Sequence, residues 1–387
     1  VRAVELFAGA GGLALGLSKA GFKPELVVER DSHCCATLLA NKSWRNSPGR
    51  NWPIPFEGDV REVDFRPYEG RLDLISGGPP CQPFSIGGEH RAHDDHRDMW
   101  PEAVRAVRQA RPRSFVFENV RGLLREAFAT YLGYVLLQLQ HPSLAKRDGE
   151  EWRDHLGRLQ RHHTNGGEVE YRVVFELLDA ADYGVAQRRH RVVFVGFRAD
   201  VHADFYFPRA THSQEALILS KLRGDYWDQH EVPLRERVMP VRMASRNAAM
   251  LITPAEKPWR TVRDALWGLS DPERDRSTAA MLDGHRYQPG AKSYAGHTGS
   301  PIDEPAKALK AGVHGVPGGE NMMRKFDGSV RYFTVREAAR LQAFPDQWRF
   351  TGPWSEAMRQ LGNAVPTTLG EVIGVAVKKH LDKAARA

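Results

Sequence analysis

Through the first two hundred residues, apolar and polar positions fall into alternating blocks. Short apolar runs at Val4–Phe7, Leu26–Glu29, Leu72–Ser76, Phe115–Glu118 and Val192–Phe197 have the length of buried strands. Between several of them the spacing becomes helical, as at Leu13–Ala20 and Pro101–Ala110. This alternation predicts an α/β domain with a doubly wound, mostly parallel sheet, whose ligands bind at the carboxyl ends of the strands. From about Ala199 to Lys325 periodicity weakens, and Pro, Gly, Arg, His and aromatic residues are scattered. Helical spacing returns at Thr334–Gln342 and Thr367–His380. The expected organisation is therefore a first domain over 1–198, a smaller irregular domain over 199–325, and a C-terminal segment over 326–387 that returns to the first. Residues 142–167 read as a polar, partly helical insertion without evident chemistry.

Composition narrows the class. The chain has 387 residues, 41% of them hydrophobic and 27% charged, which suits a globular protein with a full core. No apolar run approaches the roughly 18 residues of a membrane span, and no basic-then-apolar leader opens the chain, so a cytoplasmic location is expected. The net charge of +7 suits a polyanion-binding surface, although many basic proteins bind none. Cys34, Cys35 and Cys81 are the only cysteines; an odd count with two adjacent members implies no disulfide framework and fits a reducing compartment.

Candidate chemistry sits in the loops after strands. Glu5-Leu6-Phe7-Ala8-Gly9-Ala10-Gly11-Gly12-Leu13 follows the first strand and opens a helix, and Gly9, Gly11 and Ala14 match a loose G-x-G-x-x-A pattern. Glu29 ends the second strand about 20 residues later, where a carboxylate can accept bonds from both hydroxyls of a ribose. The pattern fits a dinucleotide or S-adenosylmethionine equally well. Asp59, expected to end the third strand, is either an acceptor for an adenine amino group or a turn cap. In Gly77-Gly78-Pro79-Pro80-Cys81-Gln82-Pro83-Phe84-Ser85, glycines bend the chain and prolines stiffen it, presenting Cys81 in a fixed direction. A core cysteine does not call for those neighbours, so Cys81 reads as a nucleophile. His90, His93 and His96 follow at spacing three; a solvated polar loop is preferred to a zinc site, and no metal is expected.

At this point the chain resembles the cytosine-C5 DNA methyltransferases, of the bacterial modification type. The Pro-Pro-Cys-Gln stretch is similar to their catalytic loop. Phe117-Glu118-Asn119-Val120, Gln187-Arg188-Arg189-His190-Arg191, Arg331–Gln342 and Gln360-Leu361-Gly362-Asn363-Ala364-Val365-Pro366 resemble further blocks in the family's order. With the Phe-x-Gly-x-Gly-Gly opening, the resemblance spans almost the whole chain. The family usually has Asp where Glu5 stands, a change that keeps the charge.

The resemblance implies a Rossmann-like S-adenosylmethionine methyltransferase fold, a target-recognition domain in 199–325, and a flipped-out cytosine as substrate. It implies that Cys81 attacks carbon 6, that Glu118 acts at N3, and that Arg189 and Arg191, sharing one face of an extended segment, hold O2 and a phosphate. Cofactor contacts would come from Phe7, Ala8, Gly9, Gly11, Gly12, Leu13, Glu29, Arg30, Asp59, Val60, Pro79, Met99, Asn363 and Ala364. Substrate contacts would come from Gln82, Ser85, Arg97, Asn119 and Gln187, with 82–98 as a loop over the base. In the recognition segment, His285-Arg286-Tyr287, His297-Thr298 and 310–315 are candidates to reach base edges. Double-stranded DNA is the expected partner, alongside a separately acting cognate endonuclease, and the chain is expected to act as a monomer without a membrane. The alternatives are an RNA cytosine methyltransferase, an inert DNA-binding relative and an exocyclic-amino methyltransferase. The sizeable segment before Tyr332, the retention of Cys81 and Glu118, and the Pro-Pro-Cys motif argue against them in turn.

Overall fold

Why the first domain takes its shape follows from where its apolar runs pair. The computed structural model describes residues 1–80, 98–238, 254–311 and 319–384. Strands β1 (Arg2–Leu6), β2 (Lys23–Glu29), β3 (Phe56–Glu57), β4 (Leu74–Gly77), β5 (Ser114–Val120), β6 (Tyr171–Asp179) and β7 (His190–Arg198) form one sheet, in the order β3-β2-β1-β4-β5-β7-β6. The first five run parallel, and β7 lies antiparallel to β5. The order reverses between β1 and β4, the crevice where such sheets take their ligands.

Helices α1 (Gly12–Lys19), α2 (Ser32–Ser43), α3 (Trp100–Ala110), α4 (Ala129–Gln140) and α5 (Trp152–Thr164) complete this part. In α3, Trp100, Ala103, Val104, Ala106, Val107 and Ala110 are buried, a stripe at helical spacing that faces the core. Trp100 meets Phe194 and Phe117 edge-on, with ring centroids 5.1 and 5.9 Å apart. Such pairs add about 0.5–1.5 kcal/mol each beyond their burial, and they fix α3 against β5 and β7.

The sequence reading finds six of these seven strands, the third only by its expected end, and misses β6. Arg172, Val174, Phe175 and Glu176 of this edge strand are all exposed, so no one-sided alternation marks it. The third strand also ends earlier than expected, at Glu57 rather than Asp59.

The described chain divides into two compact units. One comprises Val1–Leu178, His190–Pro208 and Gly370–Ala387, the other Asp179–Arg189 and Arg209–Leu369. Residues 199–208 thus stay with the sheet. Of the C-terminal segment, 326–369 fall in the second unit and the remainder returns to the first. There the helix Thr367–Ala384 buries Ile373, Val377 and Leu381 at four-residue spacing. A Cβ on Gly374 would lie 2.8 Å from Ala20 Cβ, so a glycine is what lets this helix approach α1 so closely.

The second unit has a small core of Ala181, Leu217, Tyr226, Trp227, Val232 and Trp259. It also has a three-stranded sheet of Ser300–Pro301, Met322–Arg324 and Val330–Tyr332. The helix Val335–Leu341 begins with a capping box in which Thr334 and Glu337 satisfy each other's backbone N–H groups. Glu337 also takes two 2.7 Å bonds from the buried Arg331.

Candidate active site

The parallel order of β3, β2, β1 and β4 brings their carboxyl ends to one edge, and the expected cofactor residues of the first unit gather there. Phe7 leaves β1 with φ 54°, followed by Gly9 at 55° and Gly11 at 86°. The left-handed region suits glycine and strains Phe7, a form of strain common in ligand-binding turns. The turn opens α1, whose buried Gly12 and Leu13 lie behind it. A Cβ on Gly9 would meet nothing within 4 Å, so this part of the turn faces open space.

Glu29 closes β2 directly beside that turn. Its Oε2 accepts from Gly9 N at 2.6 Å, and its Oε1 accepts from Arg30 N at 2.8 Å and Asp31 N at 2.7 Å. Burial pushes its proton affinity up, and the three backbone donors pull it back. A carboxylate offers about four acceptor positions, so one is left for a ribose hydroxyl rather than the expected two. Gly58 N donates to Glu29 O at 3.0 Å, which sets Asp59 alongside. Asp59 caps a short turn by accepting from Arg61 N at 3.0 Å and faces Arg61 and Arg30 at 3.3 and 3.6 Å. Asp59 therefore acts as a turn cap here, whatever else its carboxylate accepts. Val60 and Met99 are buried nearby in sequence to this edge, and Arg30 is exposed. The turn, the free acceptor on Glu29 and the open space at Gly9 fit a nucleoside-type cofactor.

At the end of β5, Glu118 lies 3.1 Å from Arg191 Nε, and both side chains are about nine-tenths buried. Register explains the pairing: Glu118 is opposite Val193 and Val120 opposite Arg191, so the arginine reaches back along the antiparallel β7. Glu118 also leans over β4, because a Cβ on Gly78 would fall 3.1 Å from its Oε1. Gly77 is needed for another reason: a Cβ there would lie 2.3 Å from Leu6 O, blocking the β1–β4 approach.

Asn119, expected as a substrate contact, makes two bonds within the fold. It is buried, its Nδ2 donates to Pro79 O at 3.1 Å, and its Oδ1 accepts from Val120 N at 2.9 Å. It ties β5 to the buried Pro79, two residues before Cys81. Cys81, Gln82, Ser85 and Arg97, with His90, His93 and His96, lie outside the described residues.

Two members of the Gln-x-Arg-x-Arg block bond within the second unit. Arg189, 2% exposed, donates to Leu309 O at 3.0 Å and Gly362 O at 2.6 Å, so its guanidinium holds backbone carbonyls within the second unit. Gln187 is fully buried, accepting from Leu309 N at 3.1 Å and donating to Leu341 O at 3.4 Å. Both side chains pair carbonyls and amides that would otherwise be buried without a partner. Asn363 is exposed and Ala364 buried, both in the second unit. Among the recognition candidates, His285 is buried between Thr334 Oγ1 and Ser270 O at 2.8 and 2.9 Å, whereas Arg286 and Lys310 are exposed.

At Glu5 the sequence reading notes only a residue that keeps the charge of the family's usual Asp. Glu5 is buried at mid-sheet, and the Ser76 hydroxyl on β4 donates to it. Burial, opposed by that bond and assisted by the charge of Glu118, pushes its pKa up to about 8. The available clue was a serine and a glutamate inside otherwise apolar strands.

A family model described as C-5 cytosine-specific DNA methylase matches residues 1–141 and 154–379. The chain belongs to that family. This methylase is an enzyme that transfers a methyl group to carbon 5 of cytosine in DNA. It is 32% identical to the Type II methyltransferase M.Eco47II of Escherichia coli over 394 residues, covering 98% of this chain and 79% of the relative. It is 31% identical to M.NgoMIV of Neisseria gonorrhoeae over 387 residues, covering 98% of each. In fold, the methylase resembles a prophage-encoded putative DNA modification methyltransferase from E. coli, with a TM-score of 0.60 at 21% identity over 99% of both chains. It also resembles the S. pombe Dnmt2 methyltransferase, with a TM-score of 0.56 at 15% identity over 99% of both.

Proposed function

We propose that this methylase is a sequence-specific modification enzyme that uses S-adenosylmethionine and attacks a flipped-out cytosine through Cys81. The observation that carries the reading is the Glu118–Arg191 pair. It stands beside Gly78, the residue after β4, while Asn119 holds the Pro79 carbonyl, so an acid and the residues leading to Cys81 are held at one strand end.

Each residue then has a task. The Cys81 thiolate adds to carbon 6, which ends the ring's aromaticity and makes carbon 5 enamine-like. Glu118 shares or donates a proton at N3 as negative charge builds on the ring, and Arg191 holds that carboxyl group in place. S-adenosylmethionine, when bound, supplies an electrophilic methyl group to carbon 5. A base then removes the carbon-5 proton, the electrons re-form the 5,6 double bond, and the thiolate leaves. On the cofactor side, the turn from Phe7 to Leu13 and the Glu29 carboxylate would hold the nucleoside, with Arg30, Asp59, Val60, Pro79 and Met99 around it. Gln82, Ser85 and Arg97 would contact the flipped nucleotide.

Duplex DNA read through 199–325, action as a monomer in the bacterial cytoplasm and a separate cognate endonuclease complete the reading, supported by the Type II names of the relatives. No helix among the described residues is long and apolar enough to cross a membrane. Bisulfite sequencing of DNA from cells expressing the chain, beside Cys81→Ala, tests it. Protected cytosines in one repeated context, absent with the variant, are expected. Protection that survives the variant would remove Cys81 from its role.

A further inference from the structure

Residues 142–153 fall outside the match to the family model, yet they are built into the first unit with a definite purpose for their neighbours. Pro142, Leu144, Ala145 and Lys146, with α3, the end of α4 and α5, line a cleft of about 170 Å³ that opens to solvent. One water needs only roughly 10–15 Å³ of such space, so the cleft is large enough for a small ligand. Arg105 and Arg108 line it from α3, Gln138 and His141 from the end of α4, Lys146 from the unmatched segment and His155 from α5.

Two of these groups bond no other described side chain or backbone group. The Gln138 side chain is 6% exposed, and its amide has no hydrogen-bond partner among the described residues. Arg108 is half-buried, likewise without a hydrogen bond or ion pair among them. Their polar atoms stay open to solvent, so both present unused donors to the space that a ligand would fill. The other lining groups are already engaged. Arg105 bonds Glu102, Gln109 and the carbonyls of Val60 and Val63. His155 is held by Tyr134 and the Leu144 carbonyl, and His141 by the Glu168 carbonyl and His163.

The charge balance selects the ligand. Arg105, Arg108 and Lys146 face the space against one carboxylate, Glu102. Burial and the neighbouring Arg105 lower the proton affinity of Arg108, as an unanswered cation requires. Donors approach from three walls: a planar guanidinium, an amide and an ammonium. A tetrahedral oxyanion can meet all three at once, pairing two oxygens with the guanidinium fork.

We propose that this cleft is a binding site for a phosphate group, with Arg108 and Gln138 as its inner donors and Lys146 at its mouth. It is separate from the residues at the strand ends that serve cytosine and cofactor. The phosphate is either free inorganic phosphate or a group of the nucleic-acid backbone.

Calorimetric titration of the full chain with inorganic phosphate, at fixed ionic strength and without DNA, tests the first source. One phosphate per chain is expected, with affinity at least about tenfold lower in Arg108→Gln, the equivalent of one charge-assisted bond. Gln138→Leu should weaken it as well. Lys146→Ala, at an exposed position that cannot compromise folding, should weaken it several-fold. Methylation of a short duplex should be unchanged in all three. If the phosphate belongs to DNA, free phosphate will not bind, and Arg108→Gln will reduce the slope of log K against log salt for duplex binding by about one. Measurable phosphate binding of equal affinity in wild type and Arg108→Gln would overturn the site, as would an Arg108→Gln variant that changes neither readout.

Discussion

Glu5→Gln should change how the stability of this methylase depends on pH. Glu5 is 3% exposed, held in mid-sheet against the Ser76 hydroxyl and within the field of Glu118, and its pKa is pushed up to about 8. In the unfolded chain the same carboxyl titrates near 4.5. Between those values the folded protein keeps a proton that the unfolded chain has released. Folding is therefore favoured at the acid end of the window, and the advantage is lost as pH rises through about 5 to about 8. At about 1.36 kcal/mol per pH unit, the loss between pH 5 and pH 8 is about 4 kcal/mol. Glutamine has nearly the shape of the protonated acid and does not titrate, so the variant lacks this contribution. Urea denaturation followed by tryptophan fluorescence, at half-unit steps from pH 5 to 8.5, reads the difference between the two proteins. Other titrating groups are common to both and cancel. The variant is expected to gain on the wild type by several kcal/mol across the window. A difference that stays constant to within about 1 kcal/mol would refute the claim that Glu5 is held protonated.

Three further outcomes follow from the site. Gly78→Ala places a Cβ 3.1 Å from Glu118 Oε1; kcat should fall about tenfold or more, since small misplacement of a reacting group is costly, while the thermal midpoint moves little, and an unchanged kcat would show that Glu118 does not need its present position. Glu29→Gln turns an amide donor toward Gly9 N or toward Arg30 N and Asp31 N; a loss of about 1–3 kcal/mol in stability with at least tenfold weaker S-adenosylmethionine binding is expected by calorimetry, and full affinity would detach Glu29 from the cofactor. Arg189→Met leaves the Leu309 and Gly362 carbonyls without their donor; denaturation should show a loss of about 3–5 kcal/mol, whereas normal stability with lost turnover would return Arg189 to the reaction.

Much of the architecture was legible along the chain because strand and helix periods are local. Leu72–Ser76 and Phe115–Glu118 are apolar enough to be read as buried strands, and glycines after a strand announce a turn wherever they occur. The Pro-Pro-Cys stretch is equally local, since its stiffness belongs to its own residues. What a polar side chain does is decided by distant partners. Arg189 and Arg191 look equivalent in the sequence, yet one spends its donors on the carbonyls of Leu309 and Gly362 and the other lies beside Glu118. Asn119 gives no sign in the sequence of its bond to Pro79 O, which forms only once β4 and β5 are set in register. His285 reads as a surface ligand until its two nitrogens are found closed by Thr334 and Ser270. Local pattern therefore determined the order of elements, the family and the place of the chemistry. Only the tertiary structure decided which polar groups are free to act, because a buried donor must be satisfied by whatever the fold brings beside it.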